Sequence, residues 1–192
     1  MPRTVDHGER RSELTDAVAR IAARDGLQAV TMRAVAAEAG VSLRLVQYYF
    51  ENKHGLLIGA MRRLEEQSNA RWRARLSNTA DPRAMLHAFI SEALPTDPES
   101  TDFYRVSAAF GELARTDTEL AAEPLAGGLT RLRSTVLDTF RAADLPPDAD
   151  PEAETDALIS LCNGLSTAVL LGHHTADRAV AIASYHLDRV FR

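Results

Sequence analysis

Residues 31–50 read TMRAVAAEAGVSLRLVQYYF, two short stretches of helical spacing parted by Ala39-Gly40-Val41. Thr31 stands where a helix N-cap belongs, and Val35, Ala36 and Ala39 give the first helix a buried side until Gly40 ends it. Ser42 opens a second helix that runs to about residue 49. Ala36 is small where the second helix must cross the first closely, and Gly40 supplies the left-handed conformation that the turn requires. Val35, Val41, Val46 and the ring of Tyr49 then fall where the two helices face each other or a helix behind them. This is the spacing of a helix-turn-helix.

With that register fixed, the outward face of the second helix follows: Leu43 and Gln47 lie one turn apart, and so do Arg44 and Tyr48. Arginine binds guanine bidentately, glutamine binds adenine and leucine touches a thymine methyl, so the exposed set is able to read bases in a major groove. Ser42 at the helix start and Arg33 on the preceding helix are placed for backbone or flanking contacts. Lys53 is the only lysine in the chain and opens the next helix, where its charge opposes the helix dipole unless an anion sits there. Without a nucleic acid, the same residues describe a helix pair of an ordinary bundle, with Arg44 and Gln47 solvated and Tyr48-Tyr49-Phe50 mostly in the core. A leucine and two tyrosines on or beside an exposed face favour the base-reading alternative.

Outward from this stretch, apolar residues recur at helical spacing and strand-like alternation is absent, so the fold is expected to be all-α with about nine helices. A first helix over about 10–25 carries Leu14, Val18 and Ile21 and stops at Gly26-Leu27. A fourth, over about 53–76, is capped by Asn52 and turns Leu57, Met61 and Leu64 inward. Asp81-Pro82 starts another, Pro95 to Pro98 separates it from a helix over about 99–115, and Pro124 with Gly127-Gly128 predicts a kink or break within 117–143. A linker over 145–151 precedes two apolar-faced helices, about 151–172 and 176–190. The expected domains are a helix-turn-helix unit over 8–68 and a helical unit over 69–192.

The chain has 192 residues, 45% hydrophobic and 26% charged, ordinary globular composition. No run approaches the ~18 to 20 apolar residues of a membrane helix, and MPRTVDHGERR lacks the apolar stretch of a signal peptide, so a cytoplasmic location without membrane association is expected. The net charge of −5 hides an asymmetry: residues 1–76 carry +4 and residues 77–192 carry −9. A polyanion would therefore be met by the front of the chain and repelled by the rest.

The residues of a catalytic constellation do not come together. Cys162, the single cysteine, lies eleven residues before His173, about 16 Å along a helix, so the two cannot share a metal. With Lys53 alone available, no Walker or Schiff-base lysine exists in the second domain. No enzyme activity, cofactor or metal site is expected.

The block from Arg10 to about Met61, centred on AVARIAARDGLQAVTMRAVAAEAGVSLRLVQYYFENKHGLLIGAM, resembles the N-terminal DNA-binding domain of the TetR family of bacterial regulators. The resemblance rests on Gly26, Thr31, the turn from Ala36 to Ser42, Tyr49-Phe50, Asn52-Lys53 and Leu56-Leu57. It implies that Thr31, Met32 and Arg33 touch phosphate or a base, that Leu43, Arg44 and Gln47 read bases, and that Tyr48, Tyr49 and Lys53 bind phosphate. Three positions depart from the family, which often has a small residue at Arg44, an aromatic at Gln47 and histidine at Tyr48. These departures bear on the operator sequence and leave the fold unaffected.

NGLSTAVLLG and the final helix ending SYHLDRVF look like the last two helices of betaine-regulator-related members, which pair with a partner's to form a four-helix dimer interface. The expected interface residues are Leu158, Leu161, Leu165, Val169, Val180, Ala183 and Leu187; the alternative is that these close the protomer's own core. The family resemblance implies a ligand-responsive repressor that binds a palindromic double-stranded operator as a homodimer. Trp72, Phe89, Phe103, Tyr104 and Phe110 among small residues are the expected pocket, unless they merely pack. The acidic balance of this half favours a largely apolar effector, neutral or cationic. The alternative is a DNA-binding protein regulated by a partner, without an effector.

Overall fold

The computed structural model describes residues 7–76, 80–118 and 127–192. Its helices are α1 (His7–Asp25), α2 (Met32–Glu38), α3 (Leu43–Tyr49), α4 (Lys53–Leu76), α5 (Pro82–Glu92), α6 (Pro98–Ala114), α7 (Gly127–Ala142), α8 (Pro151–Leu170) and α9 (Ala176–Val190), with a 3-10 turn at Leu27–Ala29. The fold is all-α, as the periodicity implied. The break expected near Pro124 lies outside the described residues. No described helix is long and apolar enough to cross a membrane.

The helix starts follow from local chemistry. Thr31 Oγ1 accepts from the Ala34 N–H at 3.0 Å, Ser42 Oγ from Leu45 at 3.2 Å, and Asn52 Oδ1 from Gly55 at 2.9 Å. Asp81 and Asp150 cap α5 and α8, each followed by proline in the first turn. Each such cap satisfies a backbone N–H that has no partner within the helix.

The described residues form two compact units. In the first are α1 to α3, α4 as far as Gln67, and residues 105–118. Here α1 buries Leu14, Ala17, Val18 and Ile21, α2 buries Val35 and Ala36, and α3 buries Val46. A boundary after residue 68 assigned 105–118 to the second domain. A single cut in the chain cannot express a helix such as α6, whose two halves belong to different units.

The second unit is a ring of packed helices in which α5 touches α7 and α9, and α8 touches the same two. Leu86, Phe89, Ile90, Val136, Phe140, Leu158, Cys162, Leu165, Ala183 and Leu187 fill its centre. Burying each of the larger side chains stabilises by about 1.5–3 kcal/mol. Ser166 Oγ, also buried, donates to the Ala93 carbonyl at 3.1 Å.

This packing turns four of the seven expected dimer-face residues inward and leaves the other three partly open. Leu158, Leu165, Ala183 and Leu187 lie in the protomer's own core, and Leu161, Val169 and Val180 pack half-buried against it. The 3.6-residue period reveals an apolar stripe but not what covers it, and here α5 and α7 do. The outward side of α8 instead presents Ala157, Ser160, Gly164 and Thr167, ending at Leu171, which is 69% exposed; α9 presents Ala181 and Tyr185, the latter 61% exposed.

Candidate nucleic-acid interface and internal cavity

Recognition chemistry needs a helix held rigidly from behind with its polar side bare. Val46 is fully buried and Phe50 is 3% exposed, anchoring α3 on the first unit, and the guanidinium of Arg11 stacks 4.6 Å from the Phe50 ring centre. The turn before α3 closes as a Schellman motif: Gly40 has φ +65°, its N–H donates to the Ala37 carbonyl, and the Val41 N–H reaches the Ala36 carbonyl at 2.9 Å. The two helices are thereby fixed in angle by backbone bonds.

On the bare side Thr31, Arg33, Ser42, Arg44, Gln47, Tyr48 and Lys53 are exposed, and Met32, Leu43 and Tyr49 are half-buried. The structure brings all ten to the surface of one unit. Thr31 and Ser42 use their oxygens as caps and keep their hydroxyl protons free to donate outward. Among the described residues, Arg33, Arg44 and Lys53 have no carboxylate partner, in contrast to Arg20 and Arg24, which bind Glu38 at 3.0 and 3.2 Å. Hydrogen bonds from Arg20 and then Arg24 hold the Glu38 carboxyl below its usual range. Arg10, Arg20, Arg24 and Arg63 of the first unit each meet a carboxylate, whereas among the described residues Arg33, Arg44 and Lys53, on and beside the recognition helix, do not.

Sequence reading missed His7. Its Nδ1 lies 3.3 Å from the Tyr49 hydroxyl, its ring centre is 5.7 Å from that of Tyr49, and Tyr48 stands edge-on to Tyr49 at 5.2 Å. The two residues are 42 positions apart, and no periodic signal connects them.

The second unit encloses a cavity of about 80 Å³ walled by Trp72, Phe89, Phe103, Tyr104, Glu92 and Cys162. Four of the five expected pocket residues are on this wall. Phe110 is not: it is fully buried in the first unit, seven residues or about 10.5 Å beyond Phe103 along α6. Glu92 is the polar centre, 95% buried, with Oε1 accepting from Arg71 Nε at 3.0 Å and Ser68 Oγ at 3.1 Å, and Oε2 from Arg75 Nε at 3.4 Å. Sequence reading overlooked it because a lone glutamate on an amphipathic helix looks like a solvated one. Burial pushes the Cys162 thiol up to about 12, so it is a protonated, inert wall group at neutral pH.

Residues 14–60 match the family model for bacterial regulatory proteins of the tetR family, and residues 82–192 match that of the BetI-type transcriptional repressor C-terminal domain. The chain is 25% identical to the HTH-type transcriptional regulator PksA of Bacillus subtilis, covering 99% of this chain and 94% of that one. It is 32% identical over 165 residues to the HTH-type transcriptional regulator BetI of Rhizobium meliloti, covering 86% and 80%. Among solved structures, a putative transcriptional regulator from Saccharomonospora viridis in complex with choline superposes with a TM-score of 0.82 at 25% identity, covering 95% of each chain.

Proposed function

The chain belongs to the TetR family and is a DNA-binding transcriptional regulator, and from that premise we propose that it is a ligand-responsive repressor, a homodimer that releases a palindromic operator when a small molecule occupies the second unit. The observation that carries this reading is the unpaired set Arg33, Arg44 and Lys53 beside Gln47 and Tyr48 on a helix anchored by Val46 and Phe50. In this reading Leu43, Arg44 and Gln47 read bases, while Thr31, Met32, Arg33, Ser42, Tyr48, Tyr49 and Lys53 hold phosphates or flanking bases.

One seven-residue helix reads too few base pairs for useful specificity, which favours two copies on a two-fold site. The outward side of α8 and α9 suits the pairing: Gly164 and its small neighbours admit close helix approach, and Leu171 and Tyr185 supply exposed apolar area. The effector is largely apolar, and neutral or cationic, in keeping with the aromatic cavity and with the choline bound by the Saccharomonospora regulator.

The test is fluorescence anisotropy on the DNA flanking the protein's own gene. Salt-dependent binding to a palindrome there, preferred over scrambled sequence, is the expected result; equal affinity for both would sink the base-reading assignment.

A further inference from the structure

The start of α1 and the end of α3 meet in a cluster of three rings on the bare side of the first unit. The His7 ring centre lies 6.1 Å from that of Tyr48 and 5.7 Å from that of Tyr49, and His7 Nδ1 stands 3.3 Å from the Tyr49 hydroxyl. Tyr48 is 69% exposed one turn beyond Arg44, and His7 beside it is exposed too. A DNA backbone that meets the two phenols meets the imidazole as well.

The groups around His7 are few. From α3 it faces the phenols of Tyr48 and Tyr49. On its own helix Glu9 is exposed, Arg10 binds Glu13, and Arg11 lies over the Phe50 ring. Among the described residues no carboxylate pairs with the imidazole, so its charge is left to pH and to DNA.

The contact between His7 and Tyr49 carries its protons in two ways. A neutral imidazole has one N–H and one acceptor nitrogen, and that nitrogen is a better acceptor than a phenol oxygen. Tyr49 then donates its hydroxyl proton to His7 Nδ1 and has none left for a phosphate. A protonated ring has an N–H on both nitrogens. Its Nδ1–H donates to the Tyr49 oxygen, and the hydroxyl proton is released to point outward. The same proton adds a positive charge to the face that presents Arg33, Arg44 and Lys53.

We propose that His7 is a positioning residue of the DNA-binding face: by taking up one proton from solvent it frees the Tyr49 hydroxyl to donate to a backbone phosphate, so that DNA binding tightens as pH falls. This rests on the reading of Tyr49 as a phosphate-holding residue and adds the group that governs its proton. The sign follows from linkage. The DNA-bound protein favours the charged ring, so binding takes up protons and is strongest on the acid side of histidine titration. The first unit has one other histidine, His54, which stands next to Lys53 and 3.4 Å from Asp117. The difference between the parent and His7→Ala therefore isolates the contribution of His7.

The probe is labelled mixed-sequence duplex DNA at low salt, because phosphate contacts supply essentially all non-specific binding. Failure to find an operator leaves this measurement untouched. Anisotropy of full-length parent, His7→Ala, Tyr49→Phe and the double variant is recorded at fixed ionic strength from about pH 8 to about pH 5.5, the range in which histidine changes charge. Thermal melts at both ends check that each variant is folded. Over this range the parent should gain about threefold to tenfold more affinity than His7→Ala. Tyr49→Phe should cost little at the alkaline end and about threefold or more at the acid end, whereas in the His7→Ala background its cost should not change with pH. Calorimetry in two buffers of different ionisation heat should show the parent taking up protons on binding, a reading that needs no variant. Parallel profiles for parent and His7→Ala, or binding without proton uptake, overturn the proposal. A Tyr49→Phe cost that is constant with pH in the parent overturns the release of the hydroxyl and keeps Tyr49 on the phosphate; no cost at any pH overturns the phosphate reading itself.

Discussion

Phe50 lies so close over the bare α-carbon of Gly59 that a β-carbon there would stand 2.7 Å from its Cε1 and 3.4 Å from Thr15 Cγ2. Phe50 immediately follows the recognition helix, so this contact sets how α3 rests on α4. In an open helix, glycine to alanine would gain about 1 kcal/mol from propensity. At Gly59 the sign should reverse, with Gly59→Ala losing about 1–3 kcal/mol by overpacking and weakening DNA binding as α3 is displaced. Urea unfolding checks it; a more stable variant would show that Phe50 yields freely.

The recognition face predicts two different kinds of loss. Arg44→Ala and Gln47→Ala should each cost about 1–3 kcal/mol on the operator and relax discrimination at one base pair. Lys53→Ala should weaken operator and random DNA alike and lower the salt slope by roughly one unit. Anisotropy across a salt series distinguishes them, and equal losses on both DNAs for Arg44→Ala would assign that guanidinium to the backbone.

The two sides of α8 should respond differently to substitution. Gly164 faces open space, so Gly164→Arg should leave the protomer's helicity and melting cooperative while shifting sedimentation from dimer to monomer. Leu158→Ala, at a fully buried position, should instead cost about 2–5 kcal/mol of stability. A dimeric Gly164→Arg protein would move the interface elsewhere.

The start of α6 predicts an acid dependence. Asp97 Oδ1 accepts from the Ser100 N–H at 2.7 Å, and Ser100 Oγ accepts from the Asp97 N–H at 3.1 Å, a reciprocal cap. That backbone bond, chiefly, holds the Asp97 carboxyl below its ordinary 3.8. A depressed folded value means the stabilisation is full above the unfolded carboxylate's range and is lost as pH falls through the folded value. Asp97→Ala should therefore lose about 1 kcal/mol at pH 7 and show little difference from the parent near pH 2, by thermal melts. An undiminished gap at the acid end would assign the loss to something other than the carboxylate.

What the sequence disclosed and what it hid divide along physical lines. Caps at Thr31, Ser42, Asn52 and Asp81 involve residues three positions apart or fewer, so their spelling is local and they were legible. The outward set Arg44, Gln47 and Tyr48 followed from the same local register. His7 against Tyr49, Glu92 beneath Arg71, and the covering of Leu158 by neighbouring helices are pairings distant in sequence, and periodicity records no partner for them. The placement of Phe110 failed for a related reason: two aromatics on one face of α6 looked like one wall, but helical rise carries them into different units.

Of the 22 lysines and arginines, the one ε-amine is that of Lys53, exposed at the start of α4. Guanidinium groups resist acylation under conditions that modify amines, so a single covalent event can erase a charge at this end of the helix and at no other side chain. If Lys53 holds a phosphate as proposed, an acetyl donor would act as a selective eraser of that contact. Bound operator, by covering that nitrogen, would protect it, making the extent of acylation a chemical record of how long the regulator had been off its DNA.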